Sequence, residues 1–178
     1  MVVGRYFFAV WPDEAAAKTL HRVAREARKA CGGRLMKEES LHLTLAFLGS
    51  LPSERVEEAR RVADMVVAAS FAPFDVSLDR LGYWRHNRIL WAGGDIPPLA
   101  ALSGTLTQDL RAAGFQLDTR PFVAHMTLLR DARCDDAPDQ PAPVVWRAGE
   151  FVLAESRTSP EGSYYEIVGR WPLREQAQ

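Results

Sequence analysis

Two four-residue runs 83 positions apart, His42-Leu43-Thr44-Leu45 and His125-Met126-Thr127-Leu128, most constrain how this chain can fold. Each sets a histidine and a threonine two residues apart inside an apolar run. Strand side chains alternate between faces, so His42 and Thr44 point one way while Leu43, Leu45 and Phe47 point the other. His125 and Thr127 repeat the pattern over Met126 and Leu128. Both runs therefore predict strands with one buried aliphatic face and one face carrying an imidazole and a hydroxyl. The chain has only four histidines, so the same spacing at two of them is a pattern rather than a scatter.

The same displacement lays Ile89-Leu90-Trp91-Ala92 over Tyr6-Phe7-Phe8-Ala9 without a gap, and it superimposes the intervening helical stretches. Each half reads as strand, helix, histidine strand. An internal duplication is expected, with segments 4–49 and 87–132 equivalent inside a single domain spanning 1–178. If the halves pack about a pseudo-twofold axis, both His/Thr pairs face one cleft.

The aromatic and β-branched run 5–11 predicts a buried strand, and Asp13 caps a helix whose apolar residues recur at helical spacing until Gly32-Gly33. The first histidine strand covers 41–48, Gly49 to Ser53 forms a turn, and a second helix runs to about Ser70. Strands at 74–81 and 88–93 flank a turn from Gly82 to Asn87. Pro97-Pro98 opens a third helix over 99–113, Gly114 closes it, and the second histidine strand covers 122–129. Residues 131–143 predict a solvated loop, 144–154 and 164–173 a closing hairpin, and the last residues a frayed end.

A formal net charge of −1 removes the basic excess of a general polyanion binder, so any nucleic-acid contact must be local. Cys31 and Cys134 match no CxxC or zinc-ligand spacing and predict two unpaired thiols in a reducing compartment. The apolar start contains Arg5 and lacks the layout of a signal peptide, and no run approaches membrane-spanning length. A cytoplasmic monomer without membrane contact is the expectation.

An imidazole titrates near neutrality, so two histidines in one cleft supply an acid and a base. The adjacent threonine hydroxyls suit the non-bridging oxygens of a phosphate held between them. Neither a metal nor another cofactor is expected, since the chain has no His-x-His or His-x-x-x-His pair. His21 and His86 lack a threonine partner and read as structural. Lys37, Arg85, Arg88 and Arg120 are candidates for contacts to an RNA backbone. Trp84, in the polar turn, is the candidate for stacking a base, while Trp91 reads as core.

The paired His-x-Thr-Leu motifs, the Arg5-Tyr6-Phe7-Phe8-Ala9 opening, the block from His42 to Gly49 and Arg120-Pro121-Phe122 before His125 resemble one family across essentially the whole chain. It is the two-histidine phosphoesterases, specifically the RNA 2′,3′-cyclic phosphodiesterase (2′-5′ RNA ligase-like, LigT/ThpR) family. The resemblance implies a bilobal α+β fold, with antiparallel sheets lining a central cleft and helices packed outside. It also implies metal-independent hydrolysis of RNA 2′,3′-cyclic phosphate ends, tRNA fragments among them, to 2′-phosphomonoesters, with reversible 2′-5′ ligation. By the same resemblance His42 is the acid for the 3′ leaving oxygen and His125 the base for water, with Thr44 and Thr127 on the phosphate. Arg130 matches an arginine that follows the second motif in the family, but strict alternation puts it on the Met126 and Leu128 face, so reaching the phosphate needs the strand to end or bulge. Ala124 replaces the usual proline before His125, which affects the backbone rather than the chemistry. Two alternatives stay open: a phosphodiesterase for a small cyclic or 2′,5′-linked nucleotide, and a nucleotide- or RNA-binding module without turnover.

Overall fold

The computed structural model describes residues 3–69, 71–140 and 142–175. Its first strand, β1 (Val3–Val10), leads into helix α1 (Glu14–Cys31). The Asp13 carboxylate accepts the Ala16 N–H at 2.8 Å, satisfying one of the free donors at the helix start. Leu20, Ala24 and Ala27 form its buried stripe, and at its end Gly32 takes a positive φ of 61° while its N–H returns to the Arg28 carbonyl.

A short strand, β2 (Arg34–Leu35), and one 3-10 turn precede the first histidine strand, β3 (Leu43–Pro52). Gly49 to Pro52, expected as a turn, extends that strand, and helix α2 (Ser53–Ala68) begins without a side-chain cap from Ser53. The expected end of that helix at Ser70 lies outside the described residues. Next come β4 (Phe74–Leu78), β5 (Arg80–Trp84) and β6 (Ile89–Gly93). Gly82, Tyr83 and Trp84 therefore belong to a strand and not to the turn, which is confined to 85–88. Helix α3 (Pro97–Ala112) carries proline at its first positions, where no N–H is missed. The second histidine strand is β7 (His125–Arg130), followed by β8 (Val144–Ala148), β9 (Glu150–Ser159) and β10 (Gly162–Pro172).

The fold is α+β and bilobal. One antiparallel sheet has the order β10-β9-β1-β3 and the other β2-β7-β6-β5. The expected hairpin is realised by β9 and β10 alone, because β8 leaves to pair with β4 in a separate two-stranded ribbon. Phe8, Leu43, Leu99, Leu102, Met126 and Phe151 share one continuous apolar core, so the buried faces of both histidine strands meet the same packed interior.

Strict alternation fails in both histidine strands, twice on β3, where Leu48 is also skipped between Gly49 and Phe47, and once on β7. On β3, Ala9 faces Thr44 and Phe8 faces Ala46, so Leu45 is an extra residue. Ala46 and Leu48 then take the buried positions and Phe47, expected inside, is 48% exposed. On β7, Trp91 faces Thr127 and Leu90 faces Leu129, which makes Leu128 the extra residue. Leu128 and Leu129 are both buried, and Arg130 returns to the face of His125 and Thr127. A bulge re-aims every side chain beyond it, and here it delivers the condition that Arg130 needed.

Cys31 and Cys134 correct the expectation of unpaired thiols. The fold brings their Cα atoms to 4.7 Å and the sulfurs form a disulfide across 103 residues. No local spacing reveals such a pairing, because it depends on the end of α1 packing beside the segment after β7. Among the described residues no helix is long and apolar enough to cross a membrane.

Candidate active site

Both histidines line one cleft of about 1160 Å³, together with Thr44, Thr127 and Arg130. His42 Nδ1 lies 2.8 Å from the Ser40 carbonyl, and His125 Nδ1 lies 2.9 Å from the Val123 carbonyl. A carbonyl oxygen only accepts, so each neutral ring carries its proton on Nδ1 and leaves Nε2 without one. The two imidazoles are thus fixed in the same way, each by the backbone two residues upstream.

Their surroundings differ. His42 stacks on Trp11 at 4.8 Å between centroids, with Phe7 at 4.9 Å and the edge of Tyr165 at 5.1 Å. Burial in this cage pushes its pKa down to about 4; the Ser40 hydrogen bond opposes that shift, and the positive charges of His125 and Arg130 add to it. His125 leans on Trp84 at 4.6 Å and is farther from Trp91, at 6.4 Å. Burial lowers its pKa as well, against the hydrogen bond to Val123.

Trp91 occupies its place because Gly82 and Gly93 have no side chains: a Cβ at either would overlap the indole ring. Gly82 faces Trp91 directly across β5 and β6. Gly82→Ala is therefore expected to lower unfolding stability by about 1–3 kcal/mol through overpacking behind His125. Denaturant titration measures this, and an unchanged midpoint would show that the indole does not need the space.

The cleft is cationic although the chain is not. Six arginine and lysine side chains line it, against the carboxylates of Asp118 and Glu161. Lys37 is among them, as expected. Arg120 also lines it, tied to Asp118 by its Nε at 2.7 Å. Arg5 lies 5.5 Å from the centre of the exposed Phe47 ring, on the cleft wall. Trp84 reaches the cleft from β5 and packs against His125 instead of standing in a solvated turn. Arg88 and Arg85 do not line the cleft; they line a second pocket, and Arg88 pairs with Asp131 at 3.6 Å. The tight turn over 85–88, where β5 reverses into β6, divides its residues: His86 and Asn87 line the cleft, Arg85 and Arg88 the second pocket.

Several cleft residues escape sequence reasoning. His86, read as structural, is exposed on the cleft wall 6.3 Å from Trp84. Phe7 on β1 and Trp11, the residue just past its end, follow the same alternation, which was a usable signal. Tyr165 carried none, because it meets His42 only once the β9–β10 hairpin folds onto β1. Among the described residues no group of three or more His, Cys, Asp or Glu side chains converges as a metal site would require.

Two antiparallel sheets around a cationic cleft, with an imidazole and a hydroxyl from each, are the architecture of a phosphoesterase. A family model described as LigT like Phosphoesterase matches residues 10–91. RNA 2′,3′-cyclic phosphodiesterase of Escherichia coli (strain K12) is 32% identical over 175 residues, covering 95% of this chain and 96% of its own. The protein of the same name from Geobacillus stearothermophilus is 35% identical over 185 residues, covering 94% of this chain and 57% of its own. The crystal structure of E. coli LigT complexed with 3′-AMP superimposes with a TM-score of 0.85 at 28% identity, covering 97% of this chain and 99% of that one. The chain belongs to the LigT-like RNA 2′,3′-cyclic phosphodiesterase family of two-histidine phosphoesterases.

Proposed function

We propose that this protein hydrolyses RNA 2′,3′-cyclic phosphate ends to 2′-phosphomonoesters without a metal, using His42 and His125 as an acid–base pair. The observation that carries the reading is the matched Nδ1-to-carbonyl bond, which leaves Nε2 of both imidazoles available in one cleft. His125 Nε2 takes a proton from water as its oxygen attacks phosphorus. The bond from phosphorus to O3′ breaks, O3′ takes a proton from His42 Nε2, and the phosphate stays on O2′. The Thr44 and Thr127 hydroxyls donate to the non-bridging oxygens, and Arg130 offsets the charge that develops on them. With an RNA 5′-hydroxyl in place of water, the same proton transfers make a 2′-5′ linkage.

Two features favour RNA over a small nucleotide: the size of the cleft, and cations spread along it rather than gathered at one point. The exposed Phe47 ring offers a face for a base. Both His/Thr pairs come from one chain, which supports the monomer as the working unit; light scattering showing only dimers would overturn that. The test of the reaction is a short RNA ending in a 2′,3′-cyclic phosphate, incubated with excess chelator. Undiminished turnover to a 2′-phosphate is expected. A 3′-phosphate product would overturn the regiochemistry, and loss of activity in chelator would overturn the metal-free mechanism.

We also propose that segments 4–49 and 87–132 descend from one duplicated unit. Supporting this, the displacement that aligns the two histidines also aligns the bulge residues Leu45 and Leu128, and then Phe47 with Arg130. A crystal structure in which the two segments fail to superimpose with their bulges matched would sink the idea.

A further inference from the structure

We propose that Cys31 and Cys134 form a thiol–disulfide exchange site, with Cys134 as the entry sulfur and a neighbouring arginine pocket selecting an anionic low-molecular-weight disulfide. The pocket, about 450 Å³, shares no lining residue with the active-site cleft. Cys134 lines it, together with Arg85, Arg88 and Arg133. Cys31, the last residue of α1, is only 3% exposed and does not line the pocket. An external reagent therefore meets Cys134 first.

The charges around that sulfur favour an anion. Arg85 donates to the Asp135 carbonyl rather than to a carboxylate, and Arg133 has no carboxylate partner among the described residues. Asp131 is shared between Arg34 at 2.9 Å and Arg88 at 3.6 Å, which leaves Asp135 as the acidic side chain on the pocket wall.

The segment bearing Cys134 is held in place by more than its sulfur. Arg133 N–H donates to the Cys31 carbonyl at 2.8 Å, Ala132 N–H to the Arg88 carbonyl at 3.0 Å, and the Tyr83 hydroxyl to the Ala132 carbonyl at 2.6 Å. These bonds keep the reduced sulfurs close, so ring closure is intramolecular and reversible. In the first step Cys134 thiolate attacks one sulfur of the external disulfide, forming a mixed disulfide and releasing one thiolate. Cys31, giving its proton to solvent, then attacks the Cys134 sulfur and expels the second thiolate. The cysteine pair loses two electrons, and the external disulfide gains them to become two thiols.

The test uses the reduced full-length protein with oxidised glutathione, an anionic disulfide, and 2-hydroxyethyl disulfide, a neutral one. Cys31→Ser should trap glutathione on Cys134, read by peptide mass mapping. Arg133→Ala should slow the reaction with oxidised glutathione by roughly tenfold and leave the neutral reagent unaffected. If Cys31→Ser does not fold, acid-quenched early time points of the wild-type protein give the same reading. Glutathione on Cys31, thiols that stay reduced, or equal slowing with both reagents would each overturn the proposal.

Discussion

Replacing either His42 or His125 with alanine is expected to lower turnover of a cyclic-phosphate RNA by about a hundred- to ten-thousand-fold while the fold survives. In the proposed mechanism each imidazole performs one proton transfer, and a positioned acid or base is worth that much in rate. The fold should persist because neither ring lies in the continuous apolar core, and both open onto the cleft. The double variant should lose little beyond either single one, since the two groups act in a single concerted displacement. Single-turnover kinetics measures all three. An aryl phosphodiester separates the roles, because its phenolate leaves without a proton. Activity toward it should return in His42→Ala but not in His125→Ala if His42 is the acid. Rescue of the opposite variant would exchange the assignments, and near-wild-type turnover of RNA by either variant would remove the two-histidine mechanism.

The site was legible in the sequence where local chemistry determines structure. The His/Thr spacing placed Thr44, His125 and Thr127 on strands, with His42 the residue just before β3, and Asp13, Pro97 and Gly114 marked helix ends through capping and backbone preferences that need no tertiary partner. Alternation misplaced Phe47 and left Arg130 on the wrong face, because a bulge forms between two strands and neither strand announces it alone. Phe47 and Arg130 lie 83 positions apart, the spacing of the two histidines, and both residues end on the cleft wall. The aromatic cage around His42 and the disulfide were hidden for a related reason. Tyr165 lies 123 positions from His42 and Cys134 lies 103 from Cys31, and only the assembled sheets bring them together. The departure of β8 to pair with β4 was equally non-local, since 144–154 carries strand propensity throughout.

The cage also sets the pH dependence, and the expected effect there is large. The proposed mechanism needs one imidazole protonated and the other neutral, so kcat/KM should follow the singly protonated fraction of the free enzyme. With His42 near 4 and His125 below its ordinary 6.5, that form is most abundant in the acid range between the two values. Above the higher value it falls tenfold per pH unit, which puts kcat/KM at pH 8 at least roughly thirtyfold below its maximum. An anionic phosphate beside the buried imidazoles favours the imidazolium, so the fall in kcat should lie at higher pH than the fall in kcat/KM. In the free enzyme His42 has the lower value, so that single proton rests mainly on His125, and it is the anionic phosphate that must favour the His42 imidazolium donating to O3′. Replacing Trp11 with a small residue admits water to the His42 cage and should move the acid limb upward, toward the ordinary imidazole value. Rate measurements from pH 4 to 9 on the wild type and Trp11→Ala decide the matter. A wild-type optimum near pH 8, or an acid limb unmoved by Trp11→Ala, would show that burial of His42 does not control the active protonation state.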